Sequence, residues 1–142
     1  MFAGALSAQA MPAGLPGLPG RLKHAGMSRL LPVLAALNGL LAVAIGAFGA
    51  HAIADPQAKE WIVTATRFQL PHAAAVFALL AWKPGARVAP WLLVLGSLIF
   101  AGTLQAMALG APRTLGMVTP VGGLLLILGW AWVIVQALGG RR

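Results

Sequence analysis

Apolar residues gather into four long runs, separated by short polar or proline-containing breaks. A helix rises 1.5 Å per residue, so about 20 apolar residues cross a hydrocarbon core of roughly 30 Å. The first run, residues 30–54, is long enough and meets no titratable side chain until His51. The third, 88–111, and the fourth, 115–138, carry no charge. The second, 61–82, has the right length but is broken by Arg67, Gln69, Pro71 and His72. Its purely apolar part, 73–82, is too short to cross alone. The spacing favours one helix from near Trp61, kinked at Pro71; an interfacial helix before a short span is the alternative. Only a short loop around Pro112 and Arg113 joins the last two runs, which predicts an antiparallel hairpin. The fold class predicted is therefore all-α: an integral membrane bundle of four transmembrane helices over residues 29–142.

Residues 1–28 do not fit this pattern. Pro12, Pro16 and Pro19 are spread through an Ala/Gly/Leu-rich stretch that suits neither helix nor strand, so a disordered tail is predicted. Met27-Ser28-Arg29 would also make a natural start. Arg29, an apolar stretch and Ala52-Ile53-Ala54 before Asp55 mimic a cleavable signal. Against that reading, the apolar stretch is longer than a signal core and three more apolar runs follow.

Composition reinforces the membrane reading. Hydrophobic residues make up 60% and charged residues 8%, with a mean hydropathy of +0.88. A soluble domain carries about 25% charged residues, so this chain has too few to wrap a soluble surface. The net charge of +8 sits at the ends of the apolar runs, without the basic stripe of a nucleic-acid binder. Arg21, Lys23, Arg29, Lys83, Arg87, Arg141 and Arg142 fall on one side of the predicted bundle. Lys59, Arg67 and Arg113 fall on the other, with both acids, Asp55 and Glu60. The positive-inside rule then makes both termini cytoplasmic. Trp82 and Trp91 flank the middle loop as interfacial aromatics would. Alanine, glycine and arginine dominate over lysine, which suggests a bacterial GC-rich genome and a multi-pass protein of the inner (plasma) membrane. The halves show no internal repeat of the inverted-transporter kind. With no cysteine, disulfides, thiol catalysis and cysteine metal sites are excluded.

Helices in lipid associate through small residues and polar contacts. Asn38 leads into Ala42, Gly46, Ala50 and Ala54, with Gly49 beside them. Gly102, Ala106 and Gly110 mark the third run, and Gly122, Gly123 and Gly129 the fourth. Packing inside the bundle is the reading; a homo-oligomer seam is the alternative. Four polar residues are candidate functional positions: His51, Arg67, Gln69 and His72. Arg67 lies about two turns inside its span, where charge is costly and often functional. Gln69 and His72 share a helical face, and Arg67 points about 140° away from His72. His51 and His72 would ligate a haem or metal only if they met, and no carboxylate, cysteine or third membrane histidine completes a site. No cofactor is predicted. Neither a phosphate loop nor a nucleophile triad is present, so an enzyme is not expected.

Three stretches together resemble the YgdD/YwdK-like family of small membrane proteins (domain of unknown function 423, transmembrane protein 256 type). They are Gly46-Ala47-Phe48-Gly49-Ala50-His51-Ala52, then Thr66-Arg67-Phe68-Gln69 with His72-Ala73, and then Leu98-Ile99-Phe100-Ala101-Gly102-Thr103-Leu104. The last continues to Thr119-Pro120-Val121-Gly122-Gly123 and Leu128-Gly129-Trp130. The resemblance covers about 30–138. It implies a four-helix inner-membrane protein and carries over His51, Arg67, Gln69 and His72 as motif positions without roles. Pro71 and Gln105 depart from it, each standing where the family usually has an aromatic residue.

The function expected is an accessory or interaction subunit acting through helix–helix contacts. One alternative is a carrier or binding protein for a lipid or small anion at the Arg/Gln/His spot; a haem or metal redox subunit is the other. The expected partners are the lipid bilayer and other membrane proteins or a second copy, with no nucleic acid.

Overall fold

Asp55-Pro56 opens the helix that organises the chain. The Asp55 carboxylate accepts a hydrogen bond from the Ala58 amide at 2.8 Å, and Pro56 supplies a preset first helical turn. The second helix therefore begins at Pro56, ahead of the predicted Trp61, because an N-cap residue and a proline stand there. The computed structural model describes residues 18–139, with side chains from Arg29 onward. It holds four α-helices: α1 Leu18–Ala52, α2 Pro56–Trp82, α3 Val88–Ala108 and α4 Thr119–Leu138. No strand occurs among the described residues. Of the tail expected over 1–28, residues 1–17 lie outside the described residues. The backbone of 18–28 belongs to α1 instead of a coil.

Helix α2 remains one helix on both sides of Pro71. The chain ends α3 at Ala108, earlier than predicted, because Gly110 takes a φ of +101°. That left-handed conformation suits glycine. A 3-10 turn, Arg113–Met117, follows before α4, and Pro120 preforms the first turn of α4. Arg29–Ala52, Val88–Ala108 and Arg113–Leu138 are long and apolar enough to cross a membrane. Helix α2 has the length, but its charges at Lys59, Glu60 and Arg67 set it apart.

The helices run antiparallel in sequence order. Gly39 faces Ala73, Gly46 faces Thr66 and Gly49 faces Ile62, which fixes α1 against α2. Gly96 and Gly122 meet in the α3–α4 crossing. Helix α3 touches all the others, and α4 packs on α3 without reaching α1 or α2 at backbone level. The four helices thus form an open arrangement with α3 at its centre rather than a closed bundle.

Buried positions on α2 are Ala58, Ile62, Ala65, Gln69, Ala73, Val76 and Leu79. On α1, Leu31, Ala35, Asn38, Ala42 and Gly49 are buried. Both stripes mix steps of three and four or their sum, the seam spacing of paired helices. The strict four-residue stripe expected on α1 fails for this reason. Each four-residue step drifts about 40° around a helix, so Ala50 ends up exposed, and Ala54 lies beyond the end of α1. One apolar core joins Leu31, Ala35, Val76, Leu79, Leu93 and Leu126 near the α2–α3 loop. A second, smaller one joins Ala58, Ile62 and Ala108 at the opposite end.

Candidate functional site

The interior of the structure is marked by polar pairs. Asn38 on α1 donates from Nδ2 to Ser97 Oγ on α3 at 2.8 Å. Both residues are fully buried near the middle of their helices. Gln105 on α3 donates from Nε2 to Gln69 Oε1 on α2 at 2.7 Å, again in the interior. Thr103 Oγ1 sits 2.8 Å from Thr119 Oγ1 and ties α3 to the start of α4. Each pair lies between different helices. In hydrocarbon such groups have no water to turn to, so facing each other is their favourable arrangement. Leucine, isoleucine and valine instead crowd the outer faces of α1 and α4.

His72 bridges α2 and α4. Its Nδ1 lies 2.6 Å from the Phe68 carbonyl oxygen, and Trp130 Nε1–H donates to its Nε2 at 3.1 Å. A carbonyl only accepts and an indole N–H only donates, so the two bonds together select the neutral Nδ1–H tautomer. Phe68 stacks on the imidazole with an interplanar angle of 6°, and Trp130 meets it edge-on. Phe68 also packs against Phe100 at 4.8 Å between centroids. Between α2 and α4 lies an apolar groove of about 610 Å³, lined by Phe68, His72, Leu126 and Trp130 among others.

The expected polar positions part company. Gln69 turns inward to Gln105, and His72 turns toward α4. Arg67 is exposed and lines a groove between α1 and α2 with Gly46, Gly49, Lys59 and Thr66. His51 is exposed in the last turn of α1. The α1–α2 register puts His72 level with the neighbourhood of Gly39. His51 lies eleven or twelve residues further on, roughly 17 Å along the axis at 1.5 Å per residue. Both ring nitrogens of His72 are engaged. The two histidines therefore do not share a ligand, and no cluster of three metal-ligating side chains occurs among the described residues.

Among the expected packing glycines, a Cβ on Gly122 would stand 2.4 Å from the Phe100 backbone nitrogen. One on Gly49 would meet the Ile62 side chain at 2.6 Å, and one on Gly46 would meet Thr66 Oγ1 at 3.2 Å. Gly123 has an ordinary 3.8 Å contact to the Phe100 ring. Gly102 is a correction: a Cβ there would meet nothing within 4 Å. It lies on a face of α3 away from the crossing, and Gly96 takes the close approach to α4. Reading the spacing of glycines alone missed Gly96, along with Ser97 and Trp130. The signal for Ser97 was present as a polar residue inside an uncharged run.

Comparison with known proteins leads to a family of membrane proteins. A family model described as a protein of unknown function, DUF423, matches residues 45–123. The chain is 37% identical over 113 residues to a UPF0382 membrane protein of Staphylococcus epidermidis, covering 75% of this chain and 93% of the relative. It belongs to the DUF423 (UPF0382) family of membrane proteins. The UPF0382 inner membrane protein YgdD of Escherichia coli K12 is 36% identical over 124 residues, covering 81% of this chain and 94% of that protein. A Staphylococcus aureus member is 36% identical over 115 residues, covering 75% and 93%. No solved structure matches the chain. The matched segment runs from the end of α1 to the start of α4, and so contains the Gln69–Gln105 and Thr103–Thr119 pairs.

Proposed function

We propose that this small membrane protein crosses the bacterial inner membrane four times, with both termini cytoplasmic, and works as an accessory or interaction subunit through helix–helix contacts. Connectivity supports the reading of four crossings. Helices α1 and α3 are parallel neighbours joined at Asn38 and Ser97, so if both span, the α2 between them must return across the same thickness. The basic residues at 83 and 87 and near both chain ends supply the orientation.

The observation that carries the interaction reading is the position of α4. Its backbone packs on α3 alone, it reaches α2 only through Trp130 and His72, and its outer side presents Leu124, Leu128 and Val135. An edge helix with one buried side has room for another helix on the other. The relatives, named only as membrane or inner membrane proteins, fit such a role without specifying it.

A photoreactive side chain at Val135, compared with one at Leu40 on the exposed face of α1, tests this in native membranes. One discrete, stoichiometric protein adduct from position 135 and none from position 40 is the expected result. Lipid adducts alone from both positions, with a monomeric protein after mild solubilisation, would remove the interaction reading.

A further inference from the structure

We propose that the groove between α1 and α2 is a binding site for an anionic phospholipid, with Arg67 and Lys59 on its phosphate and an acyl chain along the glycine-lined floor. This groove lies apart from α4, so the proposal stands or falls independently of the interaction role.

The groove holds about 440 Å³ and is lined by Gly46, Gly49, Ala50, Ile62, Val63 and Thr66, with Lys59 and Arg67 at its border. Its floor exists because glycines stand where α1 crosses Ile62 and Thr66. Without Cβ atoms at 46 and 49, Ile62 and Thr66 close in on the α1 backbone, and the groove opens beside this contact. The lining is apolar except for three groups. Thr66 Oγ1 is buried without a hydrogen-bond partner, and Lys59 and Arg67 are exposed cations. No lining residue is acidic. Of the chain's two acids, Asp55 is engaged as the cap of α2 and Glu60 does not line the groove.

Depth favours a lipid over a free anion. The register places Arg67 level with Ile45, seven residues before the end of α1, or about 10 Å inside. Helical side chains lean toward the helix N terminus. In α2 that direction runs toward Asp55 and the membrane surface, so the guanidinium rises toward Lys59. The two cations then bracket the depth at which a lipid phosphate meets its first methylenes. Arginine's planar fork suits a phosphate, and an intramembrane cation with no counter-ion among the described residues is well served by a lipid one. A floor of glycine and isoleucine offers nothing to a hydrated small anion and suits an acyl chain.

The test uses the full chain in nanodiscs of phosphatidylcholine with and without phosphatidylglycerol, read by native mass spectrometry of retained lipid. Each basic residue near a membrane surface favours anionic lipid by about fivefold. Wild type should retain phosphatidylglycerol over phosphatidylcholine by roughly 25-fold for two cations, and Arg67→Gln with Lys59→Gln should abolish the preference. Both side chains are exposed, so the variant is expected to fold, and its melting in phosphatidylcholine alone should match wild type. Excess inorganic phosphate should not displace the lipid. Equal retention of both lipids by wild type, an unchanged preference in the double variant, displacement by phosphate, or a dimer that excludes lipid from the groove would each overturn the proposal.

Discussion

Helices α3 and α4 are near twins in composition and opposites in setting. Both are uncharged, of similar length and apolar enough to cross a membrane. Yet α3 is buried on most of two faces, while α4 buries chiefly Gly122, Leu126 and Gly129. Hydropathy does not separate them, because lipid accepts on the outside what water would force inside. The difference lies in polar and small side chains. Helix α3 carries Ser97, Gln105 and Gly96 on its inner faces, and each meets a neighbour. Helix α4 keeps one glycine-marked stripe for its backbone contact with α3. In this chain the interior is recognised by what is polar or missing, and the exterior by what is large and apolar.

The strongest way to break that comparison is to fill the α3–α4 crossing. The first carbon of a side chain at Gly122 already falls 2.4 Å from a backbone atom of Phe100, and a backbone cannot yield as a flexible side chain can. Gly122→Leu should cost about 3 kcal/mol, the upper range for overpacking, and should free α4. Reversible unfolding in mixed detergent, followed by a cysteine cross-link between α3 and α4, reads both effects. Gly102→Leu is the control on the same helix pair and should stay within about 0.5 kcal/mol of wild type. Equal losses at both glycines would mean that α4 packs on a different face of α3.

A smaller effect is expected at the centre of the arrangement. Gln69→Leu or Gln105→Leu alone leaves a buried amide facing a hydrocarbon side chain and should cost about 1–2 kcal/mol. The double substitution removes both polar groups together, so its cost should fall short of the sum by about 1 kcal/mol. The same unfolding assay supplies the cycle. Strict additivity would mean that the two amides do not pair, and would leave α2 held to α3 by packing alone.

These pairs also show what was legible in the sequence. The runs announced helices, because apolar length alone dictates a spanning helix. Family membership was carried by short motifs around Arg67, Gln69 and Gly102. The start of α2 was open to reading in Asp55-Pro56, where a capping side chain precedes a proline, but apolar content drew the boundary to Trp61 instead. Partner choice was not legible. Gln69 and His72 share a helical face, but Gln69 bonds Gln105 on α3 while His72 bonds Trp130 on α4. Rotation around one helix says where a side chain points, and only the packing of the others says what it finds there. Gly102 misled for the same reason. A small residue permits close approach, but the approach occurs only where a partner's face arrives, and that place is Gly96.

The slightest effect is expected where α4 reaches past α3 to α2. The His72–Trp130 bond is half-exposed at 3.1 Å, and interhelical hydrogen bonds in membranes average about 0.6 kcal/mol. Trp130→Phe keeps an aromatic ring against the imidazole while deleting the donor, so its stability loss should be about 0.5 kcal/mol. The more sensitive readout is spectroscopic. An indole N–H bonded to an imidazole emits differently from one facing lipid, so removing Trp130 should delete a distinct component of the tryptophan emission. Trp132, exposed on the same helix, should contribute only lipid-like emission when removed as Trp132→Phe. If the two variants change the spectrum alike, His72 does not reach α4. The groove between α2 and α4 would then be open along its whole length, and α4 would be an edge helix held by glycine contacts to α3 alone.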